Sequence, residues 1–456
     1  MIVKKDISKI LLLFLLLHLI IWTLVPSITN KNLPLDTIEA LAWGSNLDWG
    51  FNKHPPFSAF AAELFYQIFG SQDWAYYFLS QIFVVFSFFI IFKLASELFK
   101  KDLFAFLSIL LLESIYYYNF TSPEFNVNIS QLPFWALSVY FTWRCINYDK
   151  LSDYIFLGIF IALGILSKYL FLYLLIGIIS LFLYLTFKGK KISFFKLFLS
   201  GFVSLIIIFP HLIWLYNNDF ISLTYGLNRA GGGKDLLDHI SSPVLFIVKQ
   251  LGILTPFMLM TFFLIKKFKI KIKIQNKNIV FLVFTFLVPI LSIILTSVIM
   301  GAKIRTMWMT PFYLLVGIFI IEIYKKKLNQ NLKKFFYVCF VFFFFSPAMY
   351  SIVSISNEFK RTDYEGKEIA RLVQNKWDDH FRNDIKIVVG DEWYAGNLSY
   401  HLSSRPKWII DLKNKTSELG SDEGVIYTGN PKILKKICPG IYGTIKPVGY
   451  CMIGKR

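Results

Sequence analysis

The chain has 456 residues, of which 55% are hydrophobic, and its formal net charge is +19. Its mean hydropathy of +0.55 excludes an ordinary water-soluble protein. The basic excess alone would suit a nucleic-acid-binding protein, but the lysines cluster beside hydrophobic segments, which argues against that class.

Apolar stretches long enough to cross a bilayer predict about eleven membrane-spanning helices. They lie near residues 10–26, 74–94, 103–119, 132–147, 153–166, 169–187, 193–216, 243–265, 278–300, 307–324 and 333–354. With the N-terminus inside the cell, the dense lysine clusters, such as residues 266–277 and 325–334, all fall on the cytoplasmic side. This distribution follows the positive-inside rule. It predicts a multi-pass membrane protein.

The loop after the first span carries more chemistry than a connector needs. Asp36 and Glu39 are one helical turn apart, Trp43 follows them, and Lys53 and His54 precede two prolines. Simpler interpretations remain open: Asp36 with Glu39 fits a helix capping box, and His54 a turn before proline. Trp43 fits an interfacial aromatic belt. Carboxylates, aromatic rings and a rigid corner at a membrane surface nevertheless indicate chemistry on a lipid headgroup.

Other outer loops add charged and aromatic residues on the same side of the membrane. These are Glu124 after the third span, Lys168 and Tyr169 before the sixth, and Arg229 and Arg305 beside later spans. Basic residues are scarce on an outer face, so those that are kept there suggest an anionic partner such as a lipid phosphate. Lys168 also fits a side chain that snorkels to the interface, and Glu124 a solvated one.

The polar segment after the last span alternates between helical and strand-like patterns. Helical spacing covers Tyr364–Phe381 and Trp393–Leu402, and short strands are predicted at Ile385–Val389, Trp408–Ile410, Val425–Tyr427 and Thr444–Val448. These patterns predict a small α/β domain on the outer side of the membrane. Cys438 and Cys451 in this segment fit either a disulfide in an oxidising compartment or two free thiols.

The loop motifs together resemble those of GT-C fold glycosyltransferases that use polyprenyl-phosphate sugars. This group includes dolichyl-phosphate-mannose protein mannosyltransferases, the aminoarabinose transferase of lipid A, and galacturonosyl and galactosamine transferases of lipopolysaccharide. The resemblance covers nearly the whole chain and is carried by DTIEALAWG, WGFNKHPPFSAF, YYYNFTSPEFNVN, LSKYLFLYLL, PHLIWLYNNDFISLTYGLNRA and GDEWYAGNLSYHLSSRPKW.

The resemblance implies a polytopic α-helical membrane protein of about 11 transmembrane helices with a small C-terminal periplasmic α/β domain. Residues 1–355 would form the transmembrane catalytic domain, with a first periplasmic loop at 27–73, and residues 356–456 the periplasmic domain. Such enzymes pass a sugar from a polyprenyl phosphate to an acceptor on the non-cytoplasmic face, typically with inversion. The implied location is a bacterial inner membrane.

The resemblance also implies roles for individual residues. Asp36 matches the first-loop aspartate of the family, although this chain has Thr37 where many members have a second acid. The expected site comprises catalytic Asp36 and Glu39, phosphate-binding Lys168, Arg229, Arg305 and Lys53, and substrate-binding His54, Glu124, Trp43 and Tyr169. No zinc-ligand spacing occurs in the sequence, so no cofactor is assigned, and a divalent metal is left open.

The expected function is therefore transfer of a sugar to lipid A or to a lipopolysaccharide-core acceptor. A protein O-glycosyltransferase of the same fold is the nearest alternative. A lipid or polysaccharide transporter (a flippase) is the alternative from another class, and Glu113 and Lys249 within predicted spans support it. A transporter would also show paired broken helices in two repeated halves, and the sequence shows no such repeat.

Overall fold

A computed structural model gives the fold of the chain and describes residues 4–233, 235–268, 276–357, 359–410 and 423–456. Helices dominate the chain up to residue 356, and a mixed sheet lies in the segment that follows. Two parts result: a helical bundle of membrane-spanning character and a small α/β unit docked against its first loop.

The bundle contains helices of very different length. In chain order they are α1 Lys4–Thr29, α2 Leu35–Gly44, α3 Phe57–Phe69, α4 Asp73–Phe99, α5 Asp102–Leu112, α6 Val127–Ser130, α7 Leu132–Tyr148, α8 Leu151–Ser167, α9 Leu172–Phe187, α10 Phe194–Asn217, α11 Ile221–Ala230, α12 Asp238–Ile253, α13 Thr255–Leu264, α14 Lys277–Leu282, α15 Val288–Met300, α16 Val316–Tyr324 and α17 Lys333–Ser356. Short 3-10 segments lie at Tyr116–Tyr118, Tyr169–Phe171, Thr306–Met309, Arg361–Asp363 and Pro311–Leu315, and a π-helical segment at Val283–Leu287 joins α14 to α15.

Within the described residues, seven helical segments are long and apolar enough to cross a membrane, or eight if the pair α12 and α13, bent by 54°, counts as one broken span. The seven are Asp6–Thr29, Asp73–Phe99, Tyr169–Phe187, Phe194–Asn217, Lys277–Met300, Thr306–Tyr324 and Lys333–Ser356.

The prediction of a polytopic helical membrane fold is confirmed. Of the eleven predicted spans, seven or eight meet this criterion of length and hydropathy. The other three predicted spans form α5, α7 and α8, which have 11, 17 and 17 residues. In particular, α5 ends at Leu112 because the chain turns at Glu113 and continues as the 3-10 segment Tyr116–Tyr118.

Small residues bring membrane helices of the bundle close together. A Cβ added to Gly158 of α8 would lie 2.3 Å from the carbonyl oxygen of Ser200 in α10, and one added to Gly317 of α16 would lie 2.1 Å from that of Ser108 in α5. Without a hydrophobic driving force inside lipid, close backbone contact of this kind is a main source of helix association. The first contact holds the middle of α8 against α10.

The two charged residues that support a transporter lie apart from the main cavity of this fold. His18 Nδ1 of α1 donates a hydrogen bond of 2.8 Å to Glu113 Oε2, and both side chains are buried. Lys249 is an exposed residue of α12. Neither residue lines the cavity described below.

The C-terminal segment forms a five-stranded sheet with helices packed on it. Its elements are α18 Gly366–Asp378, β1 Ile385–Val389, α19 Tyr394–His401, β2 Lys407–Ile409, β3 Gly424–Gly429, α20 Pro431–Ile437, β4 Ile441–Ile445 and β5 Val448–Ile453. The strand order is β2-β1-β3-β5-β4, with β1 parallel to β2 and β3 and the remaining pairs antiparallel.

Most of the predicted elements of this segment are present, with two differences. The strand predicted at Thr444–Val448 is wrong, because the β4–β5 turn lies there and Pro447 has no N–H for the ladder. Helix α20 was not predicted. The other predicted helices and strands are confirmed to within a few residues at their ends.

Cys438 and Cys451 form a disulfide with a Cα–Cα distance of 5.6 Å, so of the two alternatives the bonded one is present. The bond ties the end of α20 to β5 and closes a short loop, a constraint that for such loops contributes about 3 kcal/mol. We expect Cys438→Ser to lower the unfolding midpoint of the C-terminal domain in the purified full chain. A reductant should lower the midpoint of the wild type and leave that of the variant unchanged; an equal effect on both would contradict the assignment.

The C-terminal domain packs directly on α2 and α3 of the first loop. Arg405 Nη2 donates hydrogen bonds to the carbonyl oxygen of Leu41 at 2.7 Å and to Glu63 Oε2 at 2.5 Å. Tyr400 donates to Asp73 Oδ1 at 2.7 Å, at the start of α4. Apolar side chains of α2, α3, α18, α19 and the sheet share one buried cluster. The first loop is therefore held between the membrane helices and the α/β domain.

Candidate active site

One cavity of about 660 Å³ lies between the first loop, the α8–α9 junction, α11 and the segment after α15. Nine of the ten side chains expected from the sequence line it: Asp36, Glu39, Trp43, Lys53, His54, Lys168, Tyr169, Arg229 and Arg305. Residues from four separate parts of the chain thus meet in one place. Their individual roles remain predictions.

The tenth residue, Glu124, lies behind Asp36. Helix α2 begins at Leu35 after Pro34 and has no side-chain cap, so the capping-box interpretation of Asp36 is wrong. Glu124 Oε1 instead accepts a hydrogen bond of 3.1 Å from the backbone N–H of Asp36. A side-chain oxygen at a helix N-terminus satisfies an N–H that would otherwise be unpaired. Glu124 therefore holds the helix end that carries Asp36.

The Asp36 carboxyl group combines burial with nearby cations. Removal from water raises its pKa above the ordinary value, and the positive charges of Lys168 and Lys53 oppose that shift. A carboxyl group with a raised pKa is a better proton acceptor once it is ionised, because basicity follows pKa. The geometry thus gives Asp36 the character that a general base needs.

Glu39 lies one turn further along α2 and forms an ion pair with Lys53. Burial raises the pKa of Glu39 to about 7, although the Lys53 ammonium opposes the rise. Lys53 Nζ has a second carboxylate partner, Glu392 Oε1, at 3.1 Å. Two carboxylates therefore hold Lys53, which weakens the expectation that it binds a phosphate. Glu392 was missed as a site residue, although it lies in a motif quoted for the resemblance.

Lys168 is a buried cation on the cavity wall. Its side chain is 5% exposed, so the interpretation as a snorkelling lysine is wrong. Its ammonium donates a hydrogen bond to Asn128 Oδ1 and lies 5.2 Å from the ring centre of Trp308. Burial lowers the pKa of Lys168 to about 7, with Asp36 opposing the shift. An anion that entered the cavity would favour the protonated form and bind to it.

The remaining cations lie at the rim. Arg229 of α11 and Arg305 are both exposed and line the cavity. The Arg229 guanidinium lies 6.0 Å from the ring centre of Tyr225, within the range of a cation–π contact. A buried lysine with arginines near the entrance is a suitable environment for the phosphate of a bound lipid.

His54 and Trp43 form an aromatic wall beside the carboxylates. The His54 ring lies 6.0 Å from Trp43 and 6.2 Å from Tyr225. Trp43 is 1% exposed and stacks on Phe51, so it is no interfacial belt residue. Burial lowers the pKa of His54 to about 3, helped by the charge of Lys168. His54 is therefore neutral at physiological pH and offers hydrogen bonds without charge.

Tyr169 is held by a chain of hydrogen bonds that sequence reasoning missed. Its hydroxyl contacts His211 Nε2 at 2.9 Å and Ser222 Oγ at 2.6 Å, while His211 Nδ1 donates to the carbonyl oxygen of Trp49 at 2.6 Å. Because Nδ1 of a neutral His211 carries the proton, Tyr169 donates to Nε2 and Ser222 donates to Tyr169. These hydrogen bonds join four elements and fix the orientation of the Tyr169 side chain.

Part of the cavity wall is apolar and reaches the surface of the bundle. Leu172 and Ile176 of α9, Leu223 and Leu227 of α11, and Met300 of α15 line the cavity and are exposed. Two of these helices belong to membrane-spanning segments. The cavity wall thus combines charged groups with exposed apolar side chains of membrane-spanning helices.

Comparison with known proteins gives a family match and a shared fold. Residues 53–214 match the family model described as dolichyl-phosphate-mannose-protein mannosyltransferase. Among solved structures, the chain is similar to apo ArnT from Cupriavidus metallidurans, with 12% identity and a TM-score of 0.62 over 97% of this chain and 98% of that one. ArnT from the same organism bound to undecaprenyl phosphate gives 11% identity and a TM-score of 0.61 at the same coverage. The chain has a GT-C fold.

The fold and the family match together indicate that the chain is a glycosyltransferase. A comparison with curated protein sequences gives no match. The family match begins at Lys53 and includes Lys168, so it spans part of the cavity wall. In the described part of this GT-C protein, no group of three or more His, Cys, Asp or Glu side chains is arranged to hold a metal ion.

The stability of this GT-C protein should depend on the ionisation of Glu124. Removal from water raises the pKa of Glu124 to about 8 from 4.5, and the charge of Asp36 adds to the rise. Between these two values the native state binds more protons than the unfolded chain, so stability falls as pH rises. Glu124→Gln keeps an acceptor for the Asp36 N–H and removes the ionisation.

We therefore expect Glu124→Gln to reduce the loss of thermal stability between about pH 4.5 and 8. The measurement is the unfolding midpoint of the purified chain across that range. Glu365→Gln is the matched control, because that carboxylate is 66% exposed. Identical pH profiles for the wild type and Glu124→Gln would show that Glu124 is ionised in the native state.

Proposed function

We propose that the chain transfers a sugar from a polyprenyl-phosphate donor to lipid A or to a lipopolysaccharide-core acceptor. The observation that carries this proposal is the composition of the cavity wall, which combines carboxylates and cations with exposed apolar side chains of membrane helices. A lipid with a phosphate headgroup and an isoprenoid tail offers the same combination of charged and apolar groups. ArnT, whose fold this chain shares, has been crystallised bound to undecaprenyl phosphate, which is the lipid that a donor of this class releases.

The reaction is a direct displacement at the anomeric carbon. An acceptor oxygen forms a bond to this carbon on the face opposite the donor phosphate, and the bond from the carbon to the phosphate oxygen breaks, so the configuration inverts. Asp36 takes the proton of an acceptor hydroxyl as it attacks. If the acceptor is a lipid phosphate, which is already an anion, Asp36 orients it instead.

The leaving polyprenyl phosphate gains negative charge, and cations stabilise it. Lys168 supplies a buried positive charge whose effect is strong because water is excluded from its surroundings. Arg229 and Arg305 at the rim complete the phosphate site. The neutral His54 and the fixed Tyr169 bind the sugar between this site and the carboxylates, with Trp43 behind them.

The proposed arrangement divides the chain into a transmembrane catalytic domain, residues 1–355, and a periplasmic domain, residues 356–456. The cavity and the C-terminal domain face the periplasm of a bacterial inner membrane. The positive-inside pattern of the lysine clusters supports this orientation. The Cys438–Cys451 disulfide supports it independently, because such bonds persist in oxidising compartments.

The test compares lipopolysaccharide by mass spectrometry from cells with the wild-type chain, with Asp36→Ala, and without the gene. Loss of one sugar-sized mass in both altered strains, at normal protein level, supports transfer and identifies the acceptor. An unchanged profile in the deletion rejects lipopolysaccharide as the acceptor and directs the search to glycosylated proteins. Loss in the deletion alone rejects Asp36 as the base and leaves a transferase and a transporter both open.

A further inference from the structure

One side chain of the C-terminal domain reaches the wall of the cavity from behind. Glu392 is 12% exposed, and its Oε1 lies 3.1 Å from Lys53 Nζ. The same oxygen accepts a hydrogen bond of 3.2 Å from Asn52 Nδ2. Lys53 in turn forms the ion pair with Glu39, which lines the cavity. A continuous polar path thus runs from the α/β domain to a carboxylate in the candidate active site.

The local backbone fixes where Glu392 points. Strand β1 ends at Val389, and Gly390 has a φ of +147° that side-chain-bearing residues rarely adopt. A Cβ at Gly390 would lie 2.1 Å from Thr428 Oγ1, so only glycine fits. Asp391 Oδ1 then accepts hydrogen bonds of 2.8 Å from the N–H groups of Trp393 and Tyr394. Glu392 therefore lies on a rigid turn at the carboxyl end of a parallel strand.

Docking of the domain does not depend on Glu392. The domain is anchored elsewhere by Arg405, which bonds to Leu41 and Glu63, and by the bond from Tyr400 to Asp73. A shared apolar cluster adds to this attachment. Removing the charge of Glu392 alone should leave the domain in place, so its effect on the site can be measured separately from docking.

We propose that Glu392 is a positioning residue of the active site, which holds Lys53 against Glu39 and so makes the C-terminal domain a working part of the catalytic centre. This inference rests on the proposed function and deepens it. Glu392 itself does not line the cavity and acts through Lys53. The alternative is that the C-terminal domain is an accessory domain with no part in the reaction.

The charges around Glu39 determine what removal of Glu392 does. Four groups face Glu39: Lys53 from its own loop, Asp36 from its own helix, Glu124 from the second loop, and Glu392 from the C-terminal domain. Burial raises the pKa of Glu39 most, Lys53 opposes the rise, and the negative charges of Asp36 and Glu392 add to it. Glu392→Gln removes one of these negative charges and also releases Lys53, whose charge and hydrogen bond lower the pKa of Glu39 more strongly than Glu392 raises it. The pKa of Glu39 should therefore rise, whereas it would fall if Glu392 were only a nearby charge.

The experiment compares wild type, Glu392→Gln, Glu392→Asp and Glu368→Gln as purified full chains in liposomes. The donor is the lipid extract of the deletion strain, and the acceptor is the membrane fraction of the same strain. We expect Glu392→Gln to lower kcat/KM by about tenfold or more, in line with the cost of a small misplacement. The acidic limb of the pH–rate profile of Glu392→Gln should also move to higher pH. Glu392→Asp keeps a charged partner for Lys53 with a shorter reach, so both effects should be smaller.

Glu368→Gln is the matched control, because Glu368 is an exposed residue of the same domain that pairs only with the exposed Arg371 in the described contacts, at 2.6 Å. It should match the wild type in every measurement. A rate and pH profile of Glu392→Gln equal to those of the wild type would overturn the inference.

A second measurement does not need activity. The raised pKa of Glu39 makes stability fall as pH rises from about 4.5 to about 7, and Glu392→Gln should make this fall larger, because it releases Lys53 from Glu39. If the wild type transfers no sugar at any pH, the proposed function fails, but the stability measurement still tests whether Glu392 acts on Glu39 through Lys53. In that case, a pH–stability profile of Glu392→Gln equal to that of Glu368→Gln would overturn the inference.

Discussion

Replacement of Asp36 by Asn is expected to lower sugar transfer by about 100- to 10,000-fold, which is the usual contribution of a positioned general base. Asparagine has nearly the same shape, and the hydrogen bond to Glu124 uses the backbone N–H of residue 36, which the substitution leaves in place. The loss should therefore appear in kcat, with the unfolding midpoint little changed. The measurement is transfer from the lipid extract of the deletion strain.

Asp48→Asn is the control for this prediction, because Asp48 lies in the same loop and is exposed. It should transfer sugar at the wild-type rate. An Asp36→Asn protein with full activity would remove Asp36 from the mechanism. A protein that lost its kcat only with hydroxyl acceptors, and kept it with a phosphate acceptor, would instead show which acceptor class needs the base.

Replacement of Lys168 by Met is expected to lower transfer by about 100- to 1,000-fold, comparable to the loss of one buried donor in an oxyanion site. Methionine keeps an unbranched apolar side chain in a buried position and removes only the charge and its hydrogen bonds. The chain should fold, since the buried ammonium costs solvation energy when no anion is present.

The pH dependence separates this role from a structural one. Because the pKa of Lys168 is about 7, the free wild-type protein loses that charge above this pH, and its affinity for undecaprenyl phosphate should fall. Lys168→Met should bind the lipid weakly at every pH, with no such transition. Lys303→Met, which changes an exposed lysine of the neighbouring loop, is the control. Unaltered lipid affinity in Lys168→Met would place the phosphate elsewhere.

The cavity residues could be identified from the sequence because they share a property that can be recognised without a structure. Asp36, Lys168 and Arg305 all lie in loops on the same side of the predicted bundle, and the positive-inside rule makes basic residues there unusual. The structure adds that these loops converge on one cavity. It also shows that Glu124 supports Asp36, which is 88 positions away, whereas local spacing had suggested a capping box with Glu39.

The features that were missed depend on long-range contacts. Glu392 lies 340 positions after Asn52, the first-loop residue to which it is bonded, and no pattern in either segment indicates that they meet. His211 lies within a hydrophobic segment and looks like a core residue until its bond to Tyr169 is seen. The strand predicted at Thr444–Val448 contains Pro447, which cannot donate to a ladder, and the structure places the β4–β5 turn there.

The contact between the first loop and the C-terminal domain limits how such proteins can be recombined. Exchanging only the C-terminal domain for that of a distant relative would leave Glu63 facing a residue other than Arg405, and Lys53 without Glu392. The exchangeable unit is therefore discontinuous: the first loop and the domain at the other end of the chain must be grafted together. Chimaeras that transfer both pieces should assemble where those that transfer either piece alone do not.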